Sequence, residues 1–221
     1  PRKMIRAVDD RLDSNIAFLT VEKVEASFNP RMALHRTYRY RLEAMEFWIE
    51  PDHEAFRRWL DLFVGTYDAR NFARLEEGKN PIRTVLETKP WMDGGRLIGF
   101  EVTGEAFLWN QVRRMANALF RLAVGELDEN EIREAIEQPM VPVDFGVAPP
   151  EWLVLWGVAW ERAPLPVESH NTAFSAPPTG RTAERTRNGR WRQAAQHELK
   201  SMLYNEWAEI GTLPVVYHRS Q

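Results

Sequence analysis

The sequence contains no cysteine. Disulfides and thiolate metal sites are therefore excluded, and the histidines (His35, His53, His170, His197, His218) show neither HxxxH nor HxH spacing, so no dedicated transition-metal site is expected. Long apolar runs are also missing. None approaches the roughly 20 residues needed to cross a bilayer, and no basic-then-apolar signal segment opens the chain, which makes the cytoplasm the expected address and a membrane an unexpected partner. Nor is there an excess of positive charge: 29 Lys and Arg stand against 32 Asp and Glu. That balance argues against a generally basic nucleic-acid coat, although net charge averages over faces and hides local patches. What is present is an ordinary globular composition, 44% hydrophobic and 28% charged over 221 residues, enough to bury one substantial core or two smaller ones.

Along the chain, residues 2 to 12 read as a helix, with Met4, Ile5, Val8 and Leu12 at helical spacing right after Pro1, an opening that suggests N-terminal truncation. Ile16 to Ala26 reads as a strand, followed by a second from Arg36 to Ala44. In that second strand the period of two sets Tyr38 and Tyr40 on one face and Arg39 and Arg41 on the other. Asp52 caps a helix whose Phe56, Trp59, Leu60 and Phe63 share a side, and Thr66-Tyr67-Asp68 with Asn71 and Phe72 reads as a polar loop that could line a cleft. Ile82 to Thr88 and Arg96 to Thr103 form a hairpin through Asp93-Gly94-Gly95. A helix follows from Phe107 to Val124. A second starts at a capping box of Asp128 and Glu131, and residues 153 to 161 read as a final buried strand entered through Ala148-Pro149-Pro150. The expected class is α+β: helices packed on a largely antiparallel mixed sheet. The expected division is a body over 1–161, a Pro/Ser/Thr-rich linker over 162–180 and a basic extension over 181–221, with an arginine cluster from Arg181 to Arg192 and a helix over 193–210.

The helix FLWNQVRRMANALFRL carries the sharpest chemical signal. Its wheel places Leu108, Val112, Met115, Leu119 and Leu122 on an apolar stripe and groups Arg114 and Arg121 with Asn110 on the polar side. Arg113 falls on the shoulder of the stripe, between Trp109 and Phe120, where a guanidinium loses part of its water and calls for an anion. That anion is either a structural acid or a group belonging to an active site. In RTYRYRL, aromatics alternate with arginines, an arrangement suited to stacking a base while holding its phosphates; ordinary half-exposed strand patterning is the plainer account.

Taken in order, RTYRYRL, GTYDARNF, IRTV, FLWNQVRRMANAL and VAPPEWLVLWGVAW resemble the successive signatures of the TruA family of tRNA pseudouridine synthases, in its archaeal and eukaryotic-like branch. The resemblance implies a pseudouridine synthase-like fold and an isomerisation in which the uracil glycosidic bond breaks and the base rejoins the sugar through carbon, with no metal, nucleotide or redox cofactor. It implies tRNA as partner, with the modified uridine in the anticodon arm, and a homodimer. It places Tyr38 under the flipped uridine and pairs Arg113 with the catalytic aspartate. Arg83 and Asn110 fall near the site, with Arg114 beside them as a further substrate contact. The family's nucleophilic aspartate lies in a GRTDxGVxA motif that nothing here matches. Asp9 and Asp10 belong to what resembles a later helix, so no nucleophile is assigned, and the alternative is a tRNA-binding or dimerisation fragment without catalysis of its own.

Overall fold

The computed structural model describes residues 23–161 continuously, together with the single positions Val8, Arg11, Gln193, Ala194, Gln196, His197 and Ser201. The chain divides into two units, Pro1–Ala26 with Val167–Gln221, and Ser27–Pro166; every element below belongs to the second. The linker over 162–180 and the arginine cluster lie outside the described residues, as do residues 16–22 of the expected first strand, all but two positions of the expected first helix and most of the expected helix over 193–210. Of that strand only 23–26 are described, and they carry no strand.

Five antiparallel strands form one sheet in the order β2-β3-β4-β1-β5. They are β1 (His35–Tyr40), β2 (Gly65–Asp68), β3 (Ile82–Asp93), β4 (Arg96–Gly104) and β5 (Leu153–Ala159). Three helices accompany them: α1 (His53–Asp61), α2 (Gln111–Ala123) and α3 (Glu129–Glu137). The class is α+β, as the sequence implies. Asp52 caps α1 by accepting from the amides of Glu54 and Ala55, and Asp128 and Glu131 complete the capping box of α3. The β3–β4 hairpin closes on Gly94 and Gly95, both at positive φ, as a two-residue turn of this hand requires. Pro90 is tolerated in β3 because β2 pairs only with Ile82–Val85, leaving the rest of that edge without a strand that needs its missing N–H.

The period of two in β1 sorts its side chains as expected. Tyr38 and Tyr40 stand opposite Val102 and Phe100 of β4 and face the helices. There Tyr40, Phe56, Phe63, Phe72, Phe100, Met115, Leu119, Ile132 and Phe145 form the fully buried heart of the core. Arg39 points to the other face, paired with Glu101 at 2.8 Å and lying 3.9 Å over the Trp156 ring.

Three expectations are corrected. The strand from Arg36 ends at Tyr40, and Leu42–Ala44 is a turn of 3₁₀ helix in which Arg41 folds back on Glu43. Thr66-Tyr67-Asp68 is not a loop but strand β2, and Tyr67 and Phe72 are core residues. Only four residues long, it is too short to show a period. β5 is not buried throughout: it is the edge strand beyond β1, and Val154, Leu155 and Trp156 are exposed. An unbroken apolar run signals a strand without saying whether both of its faces are covered.

Candidate functional site

A cavity of about 140 Å³ opens where the inner face of the sheet meets the start of α2, lined by Tyr38, Phe107, Leu108, Asn110, Gln111, Val112, Arg113 and Leu153. Three sequence-derived candidates, Tyr38, Asn110 and Arg113, therefore meet at one place. Their positions follow from local structure. Tyr38 reaches the cavity from the middle of β1, and its ring takes Phe107 edge-on with centroids 5.4 Å apart. Phe107 fits there because residue 104 is glycine: a Cβ at that position would lie 2.8 Å from Phe107 Cζ and 2.8 Å from the Thr84 carbonyl oxygen. Asn110, at the N-cap of α2, adopts the left-handed conformation with φ 64°, which asparagine tolerates better than most residues. Its side chain caps no amide. Instead Asn110 Oδ1 accepts from Arg113 Nη1 at 3.0 Å.

Arg113 is held a second time, from the loop before β5. Its Nε donates to the Ala148 carbonyl at 2.7 Å, and the Ala148 amide donates to the Arg113 carbonyl at 3.2 Å. Ala148-Pro149-Pro150 is thus more than an entry turn. The next carbonyl, that of Pro149, accepts the Tyr40 hydroxyl at 2.9 Å. Burial pushes the Tyr40 phenol well above its ordinary pKa, the charge of Glu151 adds to that, and the guanidinium of Arg113 offsets part of it. The loop itself is pinned to α2 and to the core. Arg114 Nη1 binds Asp144 at 2.6 Å, Asn117 Nδ2 donates to the Phe145 carbonyl at 2.6 Å, and Phe145 stacks flat on Phe72 at 4.7 Å. Among the described residues no carboxylate lies within ion-pair distance of Arg113, and its Nη2 has no partner. No structural acid among the described residues neutralises it.

Comparison with known proteins bears directly on this geometry. Residues 60–161, which include α2, the loop after α3 and β5, match the tRNA pseudouridine synthase family. The chain is 36% identical over 172 residues to tRNA pseudouridine synthase A of Methanoculleus marisnigri, covering 76% of this chain and 61% of that protein. With tRNA pseudouridine synthase A of Thermococcus kodakarensis it shares 38% over 152 residues, covering 66% and 53% respectively. The matched part of the chain belongs to the tRNA pseudouridine synthase family, the one its signature motifs resemble. It spans little more than half the length of these curated relatives.

Not every candidate carried by the pseudouridine synthase signatures lies in the cavity. Arg83 sits on β3 opposite Tyr67, with Nη1 tied to the Asn80 and Ile82 carbonyls, and does not line it. Arg114 points to Asp144 and does not line it either. The ring of Trp109, expected beside Arg113, instead takes the guanidinium of Arg74 at 4.6 Å. Asn71, read as a cleft residue, is a buried structural amide. Its Nδ2 donates to the Ala135 and Val141 carbonyls, 3.0 Å each, and its Oδ1 accepts the Val143 amide at 3.2 Å. Sequence reasoning missed Phe107, Gln111 and Leu153 as cavity walls. Gln111 is buried at the start of α2, with Oε1 accepting the Leu108 amide at 2.9 Å, and no periodicity marks such a residue. A larger groove of about 440 Å³ runs between α1 and α3, but it holds none of the signature residues, and Glu129 in it already takes the Trp59 indole at 3.0 Å and Arg58 at 3.8 Å.

Proposed function

We propose that the cavity between Tyr38 and Arg113 holds a uridine extruded from tRNA for conversion to pseudouridine. The observation that carries this reading is the state of Arg113. It is a half-buried guanidinium, fixed through Nε and Nη1 by neutral acceptors, with no protein anion beside it among the described residues. A cation held that way favours the ionised form of a carboxylate brought to it, and so keeps an aspartate nucleophilic. In this reading the aspartate comes from outside the described residues. Extruding a base costs a few kcal/mol, and stacking on an aromatic ring returns about 1–3 kcal/mol per base, so Tyr38 is positioned to retain what the RNA gives up.

The substrate is tRNA, in keeping with the names of the relatives, and the target lies in the anticodon arm. Two copies of the protein grip one tRNA, in the cytoplasm. Arg83 and Arg114 serve outside the cavity, Arg83 toward the RNA backbone and Arg114 by fixing the 141–149 loop that presents Ala148 to Arg113. The test is to incubate unmodified tRNA with this chain, and with the chain in its full coding context, and to map pseudouridine by carbodiimide footprinting. Product in the full context and none with the chain alone is expected. Product from the chain alone would place the nucleophile within these residues, and no product from either would refute the reading.

A further inference from the structure

Trp109 is exposed beyond what a core aromatic would be, at 53%, yet it is held firmly. Its backbone forms an isolated antiparallel bridge with Arg74, whose amide donates to the Trp109 carbonyl at 2.9 Å. The same arginine lays its guanidinium over the indole at 4.6 Å. Leu108 on one side of it and Asn110 on the other both line the cavity, so the backbone of Trp109 runs beside the Tyr38–Arg113 site although its ring does not line it. The left-handed turn at Asn110 carries the chain abruptly from this tryptophan into α2, a conformation the surrounding structure must maintain.

Lone exposed hydrophobic residues are common on proteins and need no explanation. This one differs in being fixed through both backbone and ring beside a cavity, while still presenting aromatic surface to solvent. An indole backed by a guanidinium suits a planar, polarisable ring, and the arginine beside it adds a donor for phosphate. A nucleobase with its attached backbone offers both.

We propose that Trp109 and Arg74 form a second stacking platform that takes the nucleobase adjacent to the uridine held in the cavity. Trp109 is a positioning residue: it keeps the RNA strand open beside the target. This inference rests on the cavity being the uridine site, and its test reads binding rather than turnover, so that the two claims fail separately.

The experiment measures affinity of the protein for RNA stem-loops carrying one loop uridine, either intact or with an abasic nucleotide on one side of that uridine or the other. Trp109→Ala is expected to weaken binding of intact RNA about tenfold, within the range for loss of one base–aromatic stack. On one of the two abasic RNAs that loss should shrink to less than about twofold, because the partner of the ring is already gone. Trp109→Phe should restore most of the affinity, and Arg74→Gln should show the same coupling to the abasic position with a smaller loss. Equal losses on intact and abasic RNA would overturn the proposal by showing that the indole acts through local structure; so would wild-type affinity of Trp109→Ala. Coupling that persists in a protein making no pseudouridine would leave this platform standing and remove only the assigned reaction.

Discussion

Arg113 and Ala148 are joined reciprocally: the arginine Nε donates to the alanine carbonyl at 2.7 Å, and the alanine amide donates to the arginine carbonyl at 3.2 Å. One residue belongs to α2 and the other to the loop before β5. The pair therefore fixes both the direction of the guanidinium and the course of the loop that leads into β5, whose first residue, Leu153, lines the cavity with Tyr38. A charged donor in a partly dry setting makes a stronger hydrogen bond than a neutral one, which is why a loop without regular structure can be held so closely.

If that loop depends on Asn71, truncating the amide should be costly. Asn71→Ala leaves the Ala135 and Val141 carbonyls and the Val143 amide without their partner. At about 1–3 kcal/mol for stranding buried polar groups, with part recovered by relaxation, a loss of roughly 3 kcal/mol is expected. Urea unfolding should show a lower midpoint with an unchanged slope.

Gly104→Ala tests how Phe107 is placed. The new methyl would press on Phe107 Cζ and on the Thr84 carbonyl at 2.8 Å, and the backbone oxygen cannot swing aside as a side chain can. A destabilisation of about 1–3 kcal/mol is expected from overpacking. Because the same ring packs edge-on against Tyr38, RNA affinity should fall as well, measured at a temperature where the variant remains folded.

Asp144 gives the loop a pH dependence. The Gly146 amide and the Arg114 guanidinium hold its carboxyl below the ordinary aspartate pKa. A depressed folded pKa means that the contribution is present above the unfolded value, near 3.9, and is lost as pH falls through the folded value. Thermal melts of the wild type should therefore decline more steeply below about pH 4 than those of Asp144→Asn. Parallel curves would show that the ion pair does not couple to folding.

Tyr38→Phe separates stacking from hydrogen bonding. The ring and its contact with Phe107 survive, so RNA affinity should stay within about twofold of wild type, while Tyr38→Leu should lose roughly tenfold. A large loss with phenylalanine would mean that the hydroxyl, and not the ring, holds the base.

Much of this arrangement was legible in the sequence because it is encoded locally. The Asp93-Gly94-Gly95 turn, the Asp128–Glu131 capping box and the apolar stripe of α2 from Val112 to Leu122 each depend on neighbours a few residues apart and appear where expected, although the helix begins at Gln111 and not at Phe107, which leaves Leu108 outside it. The wheel also put Arg113 on the shoulder of the stripe, where it is half-buried. It could not show what Arg113 would meet. One of its two acceptors, besides the nearby Asn110 side chain, is a main-chain carbonyl from a distant loop, and carbonyls leave no mark on sequence. The same limit explains Trp109: it lies before α2 and not on it, and the cation it meets comes from Arg74 through an isolated bridge, not from Arg113 four residues on. The fate of Thr66-Tyr67-Asp68 was hidden for a different reason. It becomes a strand because β3 lies beside it to pair with, Thr66 Oγ1 meeting Thr84 Oγ1 at 3.0 Å, and four polar-looking residues cannot announce that partner.

If Arg113 acts on the reaction and not on RNA affinity, single-turnover pseudouridine formation by Arg113→Ala in the full protein will show it, with tRNA binding measured alongside. The expected rate is at least about 100-fold below wild type, on the scale of about 2.7 kcal/mol of lost transition-state stabilisation, with the dissociation constant for tRNA changed by less than about threefold. A rate near wild type, or a loss of turnover matched by an equal loss of binding, would contradict it.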